Sequence, residues 1–100
     1  MGEKLLKIIN HFGVDNQQRK LEEEVFEFQK EIDIAEASRL VGISNDISQQ
    51  SKEHLEEEAG DILNVLYQFI LYYKLDVDKI HNSRLKKIDR TLEVANECNN

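Results

Sequence analysis

The sequence predicts an all-α protein, a single antiparallel bundle of about four helices spanning residues 1–100, and three observations carry the prediction. The chain has four Gly and no Pro, so little in its composition interrupts a helix. Its apolar residues recur every three or four positions rather than alternately. Residues suited to capping, Asp15, Ser51 and Asp76, stand ahead of those stripes. A chain this short buries only about two-thirds of its unfolded surface. Oligomerisation, as a homodimer or homotetramer, is therefore expected to complete the core.

Leu5, Leu6, Ile8, Ile9 and Phe12 mark a short amphipathic helix from Glu3 to Phe12, which Gly13 can end. Asp15 is the expected N-cap of the next helix, from Asn16 to about Ala37. There Leu21, Val25, Phe28, Ile32 and Ala35 step by four, three, four and three, a narrow stripe down one face. Between Ser38 and Gln50, Gly42, Ser44, Asn45, Asp46 and Ser48 have turn chemistry, with Leu40, Val41, Ile43 and Ile47 available to pack the segment down. Ser51 is expected to cap a third helix running to about Lys74, and Asp76 a fourth from Val77 to roughly Ala95, with a frayed tail from about 96.

Composition removes several classes of function. With 33% charged residues and a formal net charge of −7, the chain is not built to neutralise a nucleic acid polymer. A lone cysteine, Cys98, supplies neither a disulfide framework nor a Cys-based zinc site, and fits a reducing cytoplasm. The N-terminus lacks the apolar core of a secretion signal. The apolar run from Ile62 to Tyr73 is broken by Asn64 and Gln68 and is too short for a membrane span, so no membrane partner is expected. Neither Gly-x-x-x-x-Gly-Lys nor His-Glu-x-x-His occurs.

The stretch that stands out is Leu55 to Leu63, which carries Glu56, Glu57, Glu58 and Asp61 into the start of the most apolar segment. A second copy precedes it by 34 residues: Leu21 to Glu27 repeats a Leu, three Glu, two spacers and an acid. At about 100° per residue, Glu24 and Glu27 fall near −60° and −120° from Leu21, and Glu58 and Asp61 take the same angles from Leu55. Each helix thus offers an acidic pair at the edge of its apolar face. One such run alone would read as a solvated helix start favoured by the helix dipole. Two runs facing each other repel unless a cation lies between them, and oxygen-only ligation suits Mg²⁺ or Mn²⁺. Gly60, costly inside a helix, would admit a ligand or a neighbouring helix. Lys20 and Lys30 could neutralise part of the first run.

In Glu23-Glu24-Val25-Phe26-Glu27 and Glu58-Ala59-Gly60-Asp61 the chain resembles the MazG-like, all-α nucleoside triphosphate pyrophosphohydrolases, whose signature is Glu-Glu-x-x-Glu on one helix and Glu-x-x-Asp on the next. Gln17, Lys20 and Leu21 precede the first motif much as a Gln and a Lys-Leu do in that family, and the resemblance runs from Asn10 to Arg90. It implies Mg²⁺, with Mn²⁺ as a substitute, held by Glu24, Glu27, Glu58 and Asp61. Glu23 becomes a helper or second-metal ligand, and Glu23 or Glu27 the acceptor of the attacking water's proton. Gln17 and, on the fourth helix, Lys79, Asn82 and Arg84 become substrate-binding residues. The implied reaction cleaves a nucleoside triphosphate between the α and β phosphates, giving a monophosphate and pyrophosphate. The chain has no Trp, which leaves His11, Phe12, Tyr67 and Tyr72 as aromatic candidates for the base. The rival expectation is a non-catalytic helical module of the same fold that assembles with itself or a partner.

Overall fold

The computed structural model describes residues 2–42 and 46–99, and every regular element within them is a helix: α1 Gly2–Phe12, α2 Val14–Val41, α3 Gln49–Tyr72 and α4 Val77–Asn99. The all-α expectation holds. No helix among the described residues is long and apolar enough to cross a membrane.

The helix boundaries follow from local chemistry and differ from the expectation in places. Gly13 alone separates α1 from α2: its N–H donates to the Ile9 carbonyl at 2.8 Å, and its own carbonyl accepts from Gln17 at 3.1 Å. Its φ of 91° is one that only glycine adopts without strain. Gly13 is therefore the N-cap of α2, and Asp15 sits inside the first turn rather than capping it. There its negative charge still favours the positive end of the helix dipole.

The second helix also runs four residues past Ala37, to Val41, where turn chemistry was expected from Ser38. Side chains such as Ser38 weaken a helix without stopping it, and an Arg39 to Glu36 ion pair of 2.8 Å supports the last turn. Gly42 then ends it, its N–H donating to the Ser38 carbonyl at 3.0 Å. The part of the turn expectation that rested on Ile43, Ser44 and Asn45 lies outside the described residues.

The cap of α3 is Ser48, not Ser51: the Ser48 hydroxyl accepts from the Ser51 N–H at 3.1 Å, while Ser51 is buried against the body. At the far end, Leu75 N–H reaches the Ile70 carbonyl at 2.9 Å and Lys74 N–H the Leu71 carbonyl at 3.2 Å. With Lys74 left-handed at φ 54°, this is the Schellman pattern of a helix stop. Asp76 does cap α4, its Oδ1 accepting from Asp78 N–H at 2.9 Å and Lys79 N–H at 3.2 Å. α4 is helical to Asn99, four residues past the expected Ala95.

α2 and α3 pack antiparallel, with α1 laid across both. Their register is marked by facing pairs: Gln17 with Gln68, Glu24 with Asp61, and Glu31 with His54, each seven residues on from the last. Seven residues is about two helical turns, so the pairs lie one above another. The core is small: Ile9, Ala35, Val65 and Ile70 are buried, and so are the polar Gln17, Glu24, Ser51 and Gln68. α4 makes no more than marginal contact with this body, and all its described side chains except Ile80 are exposed. The chain measures 47 × 35 × 22 Å with a radius of gyration of 17.4 Å, against about 13 Å for a compact chain of this length.

Ile9 is the one fully buried large side chain among the described residues. Ile9→Ala is expected to lower unfolding stability by about 2–5 kcal/mol, measured by urea denaturation. A loss below about 1 kcal/mol would mean that α1 is not docked as described.

Candidate metal centre

The antiparallel register reverses one of the two acidic runs relative to the other. Glu24 therefore lies across from Asp61, and Glu27 across from Glu58. Glu24, Glu58 and Asp61 each bring a carboxylate oxygen to within 4.8 Å of the other two. Glu24 is buried, Glu58 half-buried and Asp61 exposed, so the cluster opens from the helix interface toward solvent. Glu27 lies beside this triad rather than in it: it is exposed and paired with Lys30 at 3.2 Å, yet close enough for its charge to act on Glu58.

Three carboxylates this close need compensation, and only part of it is present. The Lys20 ammonium lies 2.8 Å from Glu24 Oε1, and that hydrogen bond and charge raise the lysine's pKa above its ordinary value. Glu58 has no such partner among the described residues. Its Oε2 is buried without a hydrogen bond. Burial, then the charges of Glu24 and Asp61, push its carboxyl above its ordinary 4.5. An orphaned, charge-stressed oxygen in an all-carboxylate set fits a hard divalent cation, which takes oxygen ligands and tolerates additional water. The residues present therefore fit Mg²⁺ or Mn²⁺.

The triad borders a cleft of ≈ 720 Å³ between α1, α2 and α3. Lys20, Arg19 and Glu23 line one side, Asn64, Val65 and Gln68 the other, and Ile8, Phe12, Asn16 and Gln17 the end nearest α1. Phe12 is 53% exposed and meets the His11 ring edge-on at 4.7 Å. At the cleft wall the buried Gln17 Nε2 donates to Gln68 Oε1 at 2.8 Å, a bond that holds α2 against α3.

Of the residues singled out from sequence, Gln17, Glu23, Glu24 and Asp61 line this cleft, Glu58 completes the triad, and Glu27 stands at its edge. Lys79, Asn82 and Arg84 do not come to it. They lie exposed on α4, where Arg84 Nη1 is 3.1 Å from His81 Nδ1. Tyr67 and Tyr72 are not among the cleft residues either. Sequence reasoning missed Arg19, Asn16, Asn64 and Gln68. Gln68 could have been found, since a polar residue on the apolar face of a helix needs a partner at the same depth. Gly60 was expected to admit a ligand or a neighbouring helix; no neighbouring helix approaches it, since no atom beyond its own helix's backbone and chain neighbours lies within 4 Å of where a Cβ would stand.

No family model, curated protein or solved structure matches this chain.

Two outcomes follow from the charge balance and from Gly60. A raised carboxyl pKa in the folded state stabilises below the ordinary value of 4.5 and loses that contribution as pH rises through the raised one. Glu58→Gln should therefore melt higher than wild type in EDTA at neutral pH, and the advantage should vanish below pH 4.5. Equal melting temperatures at both pH values would remove the claim of charge stress. Gly60→Ala should stabilise by about 0.5–1 kcal/mol, read by denaturant titration, since the space for a methyl group is open.

Proposed function

We propose that the chain is a Mg²⁺-dependent nucleoside triphosphate pyrophosphohydrolase of the MazG-like type, cleaving between the α and β phosphates. One observation carries the reading: Glu24 from one motif and Glu58 and Asp61 from the other converge within 4.8 Å beside a cleft that also holds Lys20 and Arg19. A triphosphate carries about four negative charges and would be repelled by bare acids. Acids, cation and basic side chains together suit it.

Glu24, Glu58 and Asp61 would hold the cation, with Glu27 near enough to join. Bound there, a divalent cation neutralises phosphate oxygens and lowers the pKa of a water at neutral pH. Glu23, exposed on the cleft and outside the triad, is the free carboxylate placed to accept the water's proton. Arg19 offers a fork of donors to phosphate oxygens, and Lys20 a point charge once it leaves Glu24. Phe12 presents an aromatic face at the α1 end for the base, flanked by the Asn16 and Asn64 amides. The Gln17 to Gln68 pair fixes the wall behind them. Lys79, Asn82 and Arg84 could reach a phosphate only from the α4 of a second copy. Nothing in the reaction calls for a side-chain nucleophile.

The second reading, a non-catalytic assembly module, is favoured by one observation: Lys20 lies 2.8 Å from Glu24, so the chain itself neutralises part of the acidic charge.

A panel of ribo-, deoxy- and modified triphosphates separates the two. The enzyme should release pyrophosphate from at least one member with Mg²⁺ or Mn²⁺ and not in EDTA. Glu24→Gln and Asp61→Asn should each lower kcat at least 100-fold, about 2.7 kcal/mol of transition-state stabilisation. Cation at 100-fold excess over its Kd should stabilise the wild type by about 2.7 kcal/mol. No turnover across the panel, together with no metal-induced rise in melting temperature, would leave the module.

A further inference from the structure

The exposed surface is too large for a finished monomer. The chain presents 8272 Å² of accessible surface for 11.7 kDa, where a compact monomer of that mass presents about 5,900 Å². The excess, about 2,400 Å², is of the size that a protomer of an obligate homodimer buries. Part of it is apolar, and two of its apolar tracts suit each other.

The first is α4. With Val77 at zero, Ile88, Leu92 and Leu85 fall at about 20°, 60° and 80°, one continuous stripe. Ile88 is 46% and Leu92 57% exposed. The second is a groove of ≈ 610 Å³ between α2 and α3, on the flank of α2 away from the acidic cleft. Leu21, Leu66, Phe69 and Tyr73 form its apolar lining, with Asp15, Gln18, Glu22 and Arg19 beside them, Arg19 bordering the acidic cleft as well. Val25 and Ile32 continue the face of Leu21 along α2, so the apolar track runs about 17 Å.

Charge matches the two surfaces. Residues 1–76 carry eight basic and sixteen acidic side chains, whereas residues 79–90 carry five basic and one acidic. The body of the chain is an acidic surface and the first half of α4 a basic one. The chain's own α4 makes no more than marginal contact with its body, so its apolar stripe is not covered from within.

We infer that α4 of one chain docks in the α2–α3 groove of a second copy, reciprocally about a two-fold axis, the apolar stripe in the groove and the basic flank against the acidic body. Each chain gives one helix and receives one, which closes the assembly without leaving a surface to polymerise. The acidic cleft on the opposite flank of α2 stays open. This inference rests on surface and charge, not on the chemistry proposed for the acids, so absence of pyrophosphate release leaves it standing.

The test uses the full chain at micromolar concentration in sedimentation equilibrium. Wild type should be at least twice 11.7 kDa; a strict monomer overturns the inference. Ile88→Lys on α4 and Leu66→Lys in the groove should each give a monomer with helical circular dichroism retained. An equimolar mixture of the two should give a heterodimer, because one intact helix then meets one intact groove. Leu66→Lys that still assembles as wild type, as a symmetric α4 to α4 pairing would allow, overturns the inference, and so does a mixture that stays monomeric. If either lysine variant loses helicity, Ile88→Ala and Leu66→Ala replace them. Each should then raise the dimer Kd at least tenfold, and an unchanged Kd for either overturns the docking.

Discussion

The structure turns on the antiparallel register of α2 against α3, because that register decides which side chains meet at the helix interface. It stacks an amide pair, an acidic cluster and an acid–histidine pair at intervals of seven residues: Gln17 with Gln68, Glu24 with Asp61, and Glu31 with His54. The outer pairs satisfy or partly satisfy themselves. The middle one cannot, since carboxylates only accept hydrogen bonds when ionised. A slip of one residue would move every member of the ladder off the interface by about 100°. The buried amides resist that slip, because breaking their 2.8 Å bond leaves two polar groups buried without partners. The amide pair thus protects the geometry of the acids more than it stabilises the fold.

The same register shows why much of the site was legible in the sequence and some of it was not. Two runs with equal angles from their own apolar stripes must approach each other once the stripes pack, which predicts convergence of Glu24, Glu27, Glu58 and Asp61, of which Glu24, Glu58 and Asp61 converge. Angles alone do not say which acid faces which. An antiparallel pairing sets the first acid of one run against the last of the other, and this leaves Glu27 on the solvent side with Lys30 at 3.2 Å. Lys20 was legible only as a neutraliser of the run; that it sits on the buried Glu24, at 2.8 Å, depends on its position four residues earlier on the same face. At the α1 end of the cleft, Phe12 was one of four aromatic candidates for the base, but its position there and that of Asn16 were hidden for a different reason. Their place depends on how Gly13 redirects the chain, and a single φ of 91° cannot be read from periodicity.

Helix limits show the same division. Asp76 caps α4 through its own side chain and was found from residue type. Ser51 was taken for a cap when Ser48 fills that role, because both are serines ahead of the same stripe and only burial distinguishes them. The extension of α2 to Val41 reflects propagation: adding a residue to an existing helix is nearly free, so weak formers after Ala37 did not end it and Gly42 did.

Lys20 gives the acidic cluster two states that differ in charge but need not differ in fold. With its ammonium at Glu24, one of three converging carboxylates is neutralised, and the interface tolerates the remainder at the expense of Glu58, whose carboxyl is pushed toward protonation. A divalent ligand would relieve Glu24, Glu58 and Asp61 together and release the lysine toward the cleft that Arg19 also borders. A cation bound there would compete with Lys20 for Glu24, and each would weaken the other's hold on it by the same factor. A lysine displaced in this way becomes available to an anionic substrate only when the cation is already in place. Were a cation to bind there, an order of cation first and anionic ligand second would follow from electrostatics alone.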